Sequence, residues 1–207
     1  MKKEKDYIQD IAEIRSMMER SSKFLSLSGW AGIMVGIYAL SGALAAYKLY
    51  DFNPTTIGSN SNTDESYPAL FNIVLIAMSI LILALFTAIY VSYREANKRD
   101  EKLWNATSKR LLTNMAAPLI VGGLLILMLI SKGMIGFIAP FSLIFYGLAL
   151  FSGGNFTYGE VRIMGLVQLV LGLISAYWIE YGLILWALGF GVVHIIYGIY
   201  MHYRYEK

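Results

Sequence analysis

Apolar residues in this chain come in long uninterrupted blocks, and the polar residues gather between those blocks. About 20 consecutive apolar residues let a helix cross a hydrocarbon layer roughly 30 Å thick. Six blocks meet or approach that length, and their bounds are 24–50, 69–93, 111–130, 134–151, 161–179 and 182–203. A membrane β-barrel would show short segments of alternating polarity instead. The pattern therefore predicts an all-α fold, a polytopic transmembrane bundle of six helical spans.

The polar segment before the first block carries a second, weaker periodicity. Its apolar positions recur at steps of four and three, at Tyr7, Ile11, Ile14 and Met18. This spacing is typical of one stripe of a helix. We expect residues 1–23 to form an amphipathic cytoplasmic or interfacial helix, and a short docking helix for a cytoplasmic partner is the alternative. Residues 24–207 then form the transmembrane domain.

Connections between the blocks predict how neighbouring spans are arranged. Spans three and four are joined by "SKG" and spans five and six by "EYG", and turns this short make antiparallel helical hairpins. The charged connection 94–110 could continue spans two and three as a hairpin in the cytoplasm. Pro118 and Pro140 fall inside spans three and four, where proline is expected to kink a helix.

Composition and charge support membrane insertion and indicate its direction. The chain is 57% hydrophobic and 15% charged, which is too little charge to cover a water-facing surface. If the N-terminus lies inside, every Lys and Arg except Lys48 and Lys132 falls on the inner side. The positive-inside rule thus predicts cytoplasmic N- and C-termini in a bacterial inner membrane. Insertion and anionic lipid account for the basic residues, so no nucleic-acid partner is predicted.

Several kinds of chemistry are disfavoured by the residue types. The absence of cysteine excludes disulfides, thiol catalysis and Cys-based metal sites. His194 and His202 lie eight positions apart, about 12 Å along a helix, so they cannot share a metal ion. No phosphate-binding loop and no nucleophile with its base occur, and all Asp and Glu lie outside the span interiors, which disfavours proton-coupled transport. We predict no cofactor, no metal and no catalytic residue.

His194 is the polar residue that stands out, because it lies near the middle of span six. Gln168 lies in span five, and both residues are 13 positions from Tyr181 in the turn. Both have small helical neighbours, namely Ala187, Gly191 and Gly198 around His194, and Gly165, Gly172 and Ser175 around Gln168. Equal depth on two faces suited to close packing predicts a Gln168–His194 hydrogen bond. The pair either braces packed helices or lines a cavity that binds a polar solute.

The inner connection before span five, 151–162, is a second candidate site. Glu160 and Arg162 could form a cytoplasmic contact surface together with residues 94–110. The alternative is a local helix start, since Thr157 and Glu160 have the spacing of a capping box.

Three segments carry a resemblance to a known group of proteins: "IRSMMERSSKFLSLSG", "YGEVRIMGL" and "ALGFGVVHIIYGIYMHYRYE". With them, the chain resembles six-span integral membrane proteins of Bacteroidetes for which no activity is known. Such proteins often accompany a winged-helix transcriptional regulator. The resemblance implies a regulatory or sensory role and transfers no catalytic residue.

Together these observations predict a non-enzymatic inner-membrane protein that senses a small or lipid-like ligand or docks a cytoplasmic partner. A small-solute transporter or channel with a path near His194 is the first alternative, and an enzyme acting on a lipid-borne substrate is the third. The expected partners are the lipid bilayer and a cytoplasmic protein, and a homo-oligomer is compatible with the same features.

Overall fold

The computed structural model describes residues 28–50, 66–98 and 104–206, and every regular element in these ranges is helical. The amphipathic helix expected in residues 1–23 and the first residues of span one lie outside the described residues. Five long helices are α1 Gly29–Tyr50, α2 Ser66–Lys98, α3 Ala106–Ser131, α4 Ile138–Gly153 and α5 Gly159–Tyr177.

The sixth helix, α6, consists of four consecutive pieces. Gly182–Trp186 and His194–Met201 are α-helical, whereas Ala187–Val193 and His202–Glu206 are π-helical. A π-helix shifts the backbone hydrogen bonds from four to five residues apart; it is rare, and it is frequently found at functional sites. The apolar periodicity of span six gave no indication of either π-helical piece.

The described residues contain six helices that are long and apolar enough to cross a membrane. This confirms the all-helical class and the six long apolar helices that the sequence predicts. Many apolar side chains point away from the bundle, and on α2 they include Leu81, Leu83, Phe86 and Ile89, each at least half exposed. Soluble monomers rarely expose a continuous apolar surface of this kind, whereas it is typical of a multi-pass membrane protein.

The helices pack in an order that differs from their order in the chain. α1 lies between α2 and α6, and α4 lies between α3 and α5. α6 packs along α1 and also contacts α4 and α5, so it joins the two groups. One part of the α6 surface that is not against α1 therefore meets α4 and α5, while other side chains of α6, such as Ile184 and Ile196, are exposed.

Glycines allow α1 and α6 to approach closely. A Cβ at Gly36 would lie 2.6 Å from the carbonyl oxygen of Gly191, and one at Gly198 would lie 2.5 Å from the carbonyl oxygen of Gly29. A Cβ at Gly32 would meet the carbonyl oxygen of His194 at 3.2 Å. Without these side chains the two backbones touch along several turns, as small residues permit in membrane bundles.

The two short connections predicted after spans three and five are present, whereas the predicted hairpin through 94–110 includes residues 99–103, which lie outside the described residues. The turn after α3 contains Gly133 at φ 69°, a left-handed conformation that favours glycine, and α5 and α6 are joined by the short 3-10 turn Ile179–Tyr181. Pro118 lies inside α3. Pro140 lies instead in the first turn of α4, where no donor to an earlier turn is needed, so the kink expected there has no cause.

α2 and α3 extend beyond the apolar blocks at one end of the bundle. α2 continues to Lys98, and α3 begins at Ala106 with Asn105 as its N-cap. The side chain of Asn105 accepts from the backbone N–H of Ser108 at 2.8 Å, while its own N–H donates to the Ser108 hydroxyl at 2.9 Å. We call this end the basic end, because it carries Arg94, Lys98, Lys109 and Arg110.

Candidate functional site

His194 uses both of its ring nitrogens in hydrogen bonds within the protein. Nδ1 lies 3.0 Å from the carbonyl oxygen of Gly189, and Nε2 lies 2.8 Å from the hydroxyl of Tyr146 on α4. A carbonyl oxygen can only accept, so Nδ1 carries the hydrogen. In that tautomer Nε2 accepts, and the Tyr146 hydroxyl donates to it. The side chain is 4% exposed, and its hydrogen-bonding capacity is satisfied by the chain itself.

Gln168 reaches the same carbonyl oxygen from the neighbouring helix. Its Nε2 donates to Gly189 at 2.8 Å, and the residue is fully buried. The predicted direct hydrogen bond between Gln168 and His194 is not formed, which corrects the expectation from sequence. The reason is the π-helical piece before His194, which makes the carbonyl of Gly189 available to side chains. Gln168 and His194 are therefore linked through a shared acceptor.

Glycine at position 189 is required by this arrangement. A Cβ there would lie 2.5 Å from Oε1 of Gln168 and 2.5 Å from Cδ2 of Leu143 on α4. Real Cβ atoms essentially never make contacts so short, so any larger residue would displace Gln168 or Leu143. The absence of a side chain at Gly189 thus lets α4, α5 and α6 meet at one point.

Aromatic rings surround the imidazole of His194. Trp186, Phe190 and His194 follow one another at steps of four on α6, with ring centroids 5.0 and 5.8 Å apart. The ring of Tyr146 packs against Phe190 at 5.0 Å and against His194 at 5.5 Å. We call Tyr146, Gln168, Gly189, Phe190 and His194 the His194 centre. Its rings and amide pack against one another, as the bracing interpretation expects.

The two small-residue faces pack on different helices and not on each other. On α5, a Cβ at Gly172 would lie 2.9 Å from the backbone nitrogen of Ile144, and one at Gly165 would lie 2.7 Å from that of Phe151, both on α4. The small face of α6 packs on α1, as described above. Close packing at these residues is confirmed, and the partner is α4 for the small face of α5 and α1 for the small face of α6.

Three buried polar atoms have no hydrogen-bond partner among the described residues. They are Oε1 of Gln168, Oγ of Ser175 and the hydroxyl of Tyr197. Gln168 and Ser175 are both fully buried on α5. An unsatisfied buried acceptor costs about 1–3 kcal/mol. A polar ligand that bonded to one of these atoms would therefore gain binding free energy there.

Glu160, one of the predicted contact residues, binds the end of α6. Its Oε1 accepts from the hydroxyl of Tyr205 at 2.9 Å and lies 3.4 Å from Nη1 of Arg204. The rings of Tyr158 and Tyr205 pack at 4.3 Å. The beginning of α5 and the end of α6 are thereby held together, a contact that the sequence did not reveal.

Arg162 turns to a different group of residues. Its guanidinium lies 4.3 Å from the ring centroid of Phe151, and Nη1 donates to Asn155 at 3.4 Å. Glu160 and Arg162 therefore have separate partners. The N-cap of α5 is Tyr158, one residue after the Thr157 of the predicted capping box, and Tyr158 has no side-chain cap hydrogen bond. The helix begins one residue later than a Thr157 cap requires, and Glu160 is engaged by α6.

His202 packs against a different helix from the helices that contact His194. Its ring packs edge-on against Trp30 at the beginning of α1, with centroids 5.4 Å apart. Within the described ranges, no group of three or more His, Cys, Asp or Glu side chains could hold a metal ion.

Sequence reasoning missed three members of the His194 centre, namely Tyr146, Gly189 and Phe190. Tyr146 lies near the middle of α4, whereas most tyrosines of this chain lie near span ends, as in an aromatic belt. A tyrosine away from the belt needs a buried partner for its hydroxyl, and that signal could have indicated it. The pair Gly189 and Gly191 within one helix could have indicated an irregular turn.

Known proteins offer no guide to this arrangement, since no protein-family profile, curated protein or solved structure matches the chain.

Proposed function

We propose that this chain is a multi-pass protein of the bacterial inner membrane that senses a small or lipid-like ligand or docks a cytoplasmic partner, with no catalytic step. Its N- and C-termini lie in the cytoplasm. The distribution of Lys and Arg supports this orientation, because it gathers the positive charge at the basic end.

The observation that carries the proposal is that the side-chain nitrogens of the His194 centre form their hydrogen bonds within the chain. Both ring nitrogens of His194 and the amide nitrogen of Gln168 bond to the chain itself. A solute passing this level would have to break those bonds and displace packed rings. The centre therefore acts as a brace between α4, α5 and α6. The surface that binds a partner is expected elsewhere on the protein.

The basic end is the surface that we expect to bind a cytoplasmic partner. Arg94 and Lys98 at the end of α2 and Lys109 and Arg110 at the beginning of α3 are exposed. Both helices extend past their apolar blocks here, so these residues project beyond the hydrocarbon layer. Glu160, through Tyr205 and Arg204, ties the beginning of α5 to the end of α6 at this same end.

Site-specific photocrosslinking in native membranes tests the docking role. A photoreactive residue at the exposed Asn97 of α2 should crosslink a cytoplasmic protein, and one at Lys132, at the opposite end, should not. Deleting the gene should also alter transcription of its neighbours, as expected of a regulator. Equal crosslinking at both positions, together with unchanged transcription, would contradict the proposal.

A small-solute transporter with a path near His194 is the second candidate, and it is favoured by Oε1 of Gln168, which has no hydrogen-bond partner in the described part of the chain. Flux of a solute into proteoliposomes that disappears in His194→Ala, but persists in a control variant such as Tyr177→Phe, would establish transport. The same result would overturn the bracing role as a sufficient account of the His194 centre.

A further inference from the structure

A cavity of about 350 Å³ lies at the basic end, between the beginning of α1 and the last turns of α2. It is lined by Ser28, Trp30, Val91, Arg94, Glu95 and Lys98. Its volume is at the lower end of the range found for small-molecule sites. The His194 centre contributes no residue to it, so this cavity needs an explanation of its own.

The charges around the cavity are not balanced. Lys98 is paired with Glu95, with Nζ and Oε2 3.2 Å apart. Arg94 has no hydrogen bond or ion pair within the described residues and is exposed. The carboxylate of Glu95 is paired with Lys98, and within the described residues no carboxylate pairs with the guanidinium of Arg94.

The cavity also lies at a boundary of polarity on α2. From Phe71 to Tyr93 the helix is almost entirely apolar, and charged residues begin at Arg94. Trp30 is half exposed, and its ring is held by the edge-on contact with His202. Tryptophan is enriched where hydrocarbon gives way to headgroups, since its ring is apolar and its N–H is polar.

We propose that this cavity binds the phosphate of an anionic phospholipid headgroup in the cytoplasmic leaflet. The planar guanidinium of Arg94 can donate two parallel hydrogen bonds to phosphate oxygens, and the indole N–H of Trp30 is a further donor at the same level. The acyl chains then lie against the exposed apolar side chains of α2. The inference rests on the proposed function, because it needs the basic end to face the cytoplasmic leaflet.

Lipid binding to the purified full chain tests this site. Native mass spectrometry in detergent can count molecules of dioleoylphosphatidylglycerol bound to the chain, with dioleoylphosphatidylcholine as the neutral comparison. Arg94→Gln should weaken phosphatidylglycerol binding by about tenfold, as loss of a bidentate charged contact implies. Arg110→Gln removes the same charge from the same end but lies outside the cavity, so its binding should stay within about twofold.

Two further measurements separate the headgroup site from its alternatives. Arg94→Lys keeps the charge but loses the two-pronged geometry, so its binding should weaken a few-fold; unchanged binding would overturn the assigned contact. Glycerol 1-phosphate at millimolar concentration should not displace the lipid, and displacement would assign the cavity to a soluble phosphate compound instead.

Equal losses in Arg94→Gln and Arg110→Gln would overturn the proposal in favour of diffuse attraction. An unfolding measurement on each variant shows whether it has kept its fold. If Arg94→Gln does not fold, Arg94→Lys and the glycerol 1-phosphate competition still test the site. Failure of the lipid site would leave the crosslinking result at Asn97 unchanged, so the two proposals fail separately.

Discussion

Replacing Tyr146 by Phe removes one hydroxyl from the His194 centre and leaves the ring in place. Nε2 of His194 then loses its donor at 2.8 Å while remaining buried. Hydrogen bonds between membrane helices contribute about 0.6 kcal/mol on average and up to about 1.7. A buried acceptor left unpaired adds to the loss. We therefore expect the free energy of unfolding to fall by about 1–2 kcal/mol.

A double-mutant cycle assigns this loss to the Tyr146–His194 pair. His194→Phe keeps an aromatic ring between Phe190 and Tyr146, and the Tyr146→Phe change made on that background should cost about 1 kcal/mol less than it does alone. The assay is equilibrium unfolding in mixed detergent micelles with sodium dodecyl sulfate, followed by helical circular dichroism.

The matched control for this cycle is Tyr177→Phe at the end of α5. Tyr177 is 80% exposed, and removing its hydroxyl should change stability by less than about 0.5 kcal/mol. The bracing role would be refuted if Tyr146→Phe and Tyr177→Phe were indistinguishable, or if the cycle showed no coupling between Tyr146 and His194.

Three further predictions follow from other contacts. Gly189→Ala should destabilise the chain by about 1–3 kcal/mol through overpacking, whereas Gly123→Ala, with no atom within 4 Å of its Cβ position, should not; the same unfolding assay compares them. Glu160→Gln should weaken the contacts at the end of α6, seen as faster amide hydrogen exchange there. The chain has no cysteine, so a single introduced cysteine can be labelled specifically. Lys132→Cys should react with a membrane-impermeant maleimide on intact cells, and Asn97→Cys should react only after permeabilisation.

Each of these predictions can be contradicted by a specific outcome. Equal stability of the two alanine variants would mean that Gly189 is not a close-contact site. Unchanged exchange at the end of α6 in Glu160→Gln would remove its link to α5. Labelling of Asn97→Cys on intact cells, with Lys132→Cys protected, would reverse the proposed orientation.

The positions of the helices could be predicted because a long apolar block in a membrane can form its backbone hydrogen bonds only as a helix. A buried or lipid-facing peptide group must find its hydrogen bond within the same helix, so 111–130 and 161–179 became α3 and α5 with ends shifted by a few residues. Short turns such as "SKG" gave the hairpins by length alone. These predictions depend only on local sequence.

The contacts of the His194 centre were not predictable in the same way. Every face of these helices is apolar, so the pattern does not tell which helix packs against which, and α1 beside α6 was not foreseen. Counting residues from the turn correctly suggested that Gln168 and His194 lie close together, but it did not predict that they bond to a shared carbonyl instead of to each other. The π-helical piece Ala187–Val193 offered both side chains the carbonyl of Gly189, and helix periodicity carries no signal for that.

The central claim is that His194 braces packed helices, and nitrogen-15 magic-angle-spinning NMR of histidine-labelled protein in lipid bilayers tests it most directly. The chain has two histidines, and a His202→Gln variant assigns the signals. We predict that His194 carries its hydrogen on Nδ1, with Nε2 as an acceptor, and receives much less magnetisation from bilayer water than His202 does. A hydrogen on Nε2 alone, or transfer from water as strong as at His202, would contradict the claim.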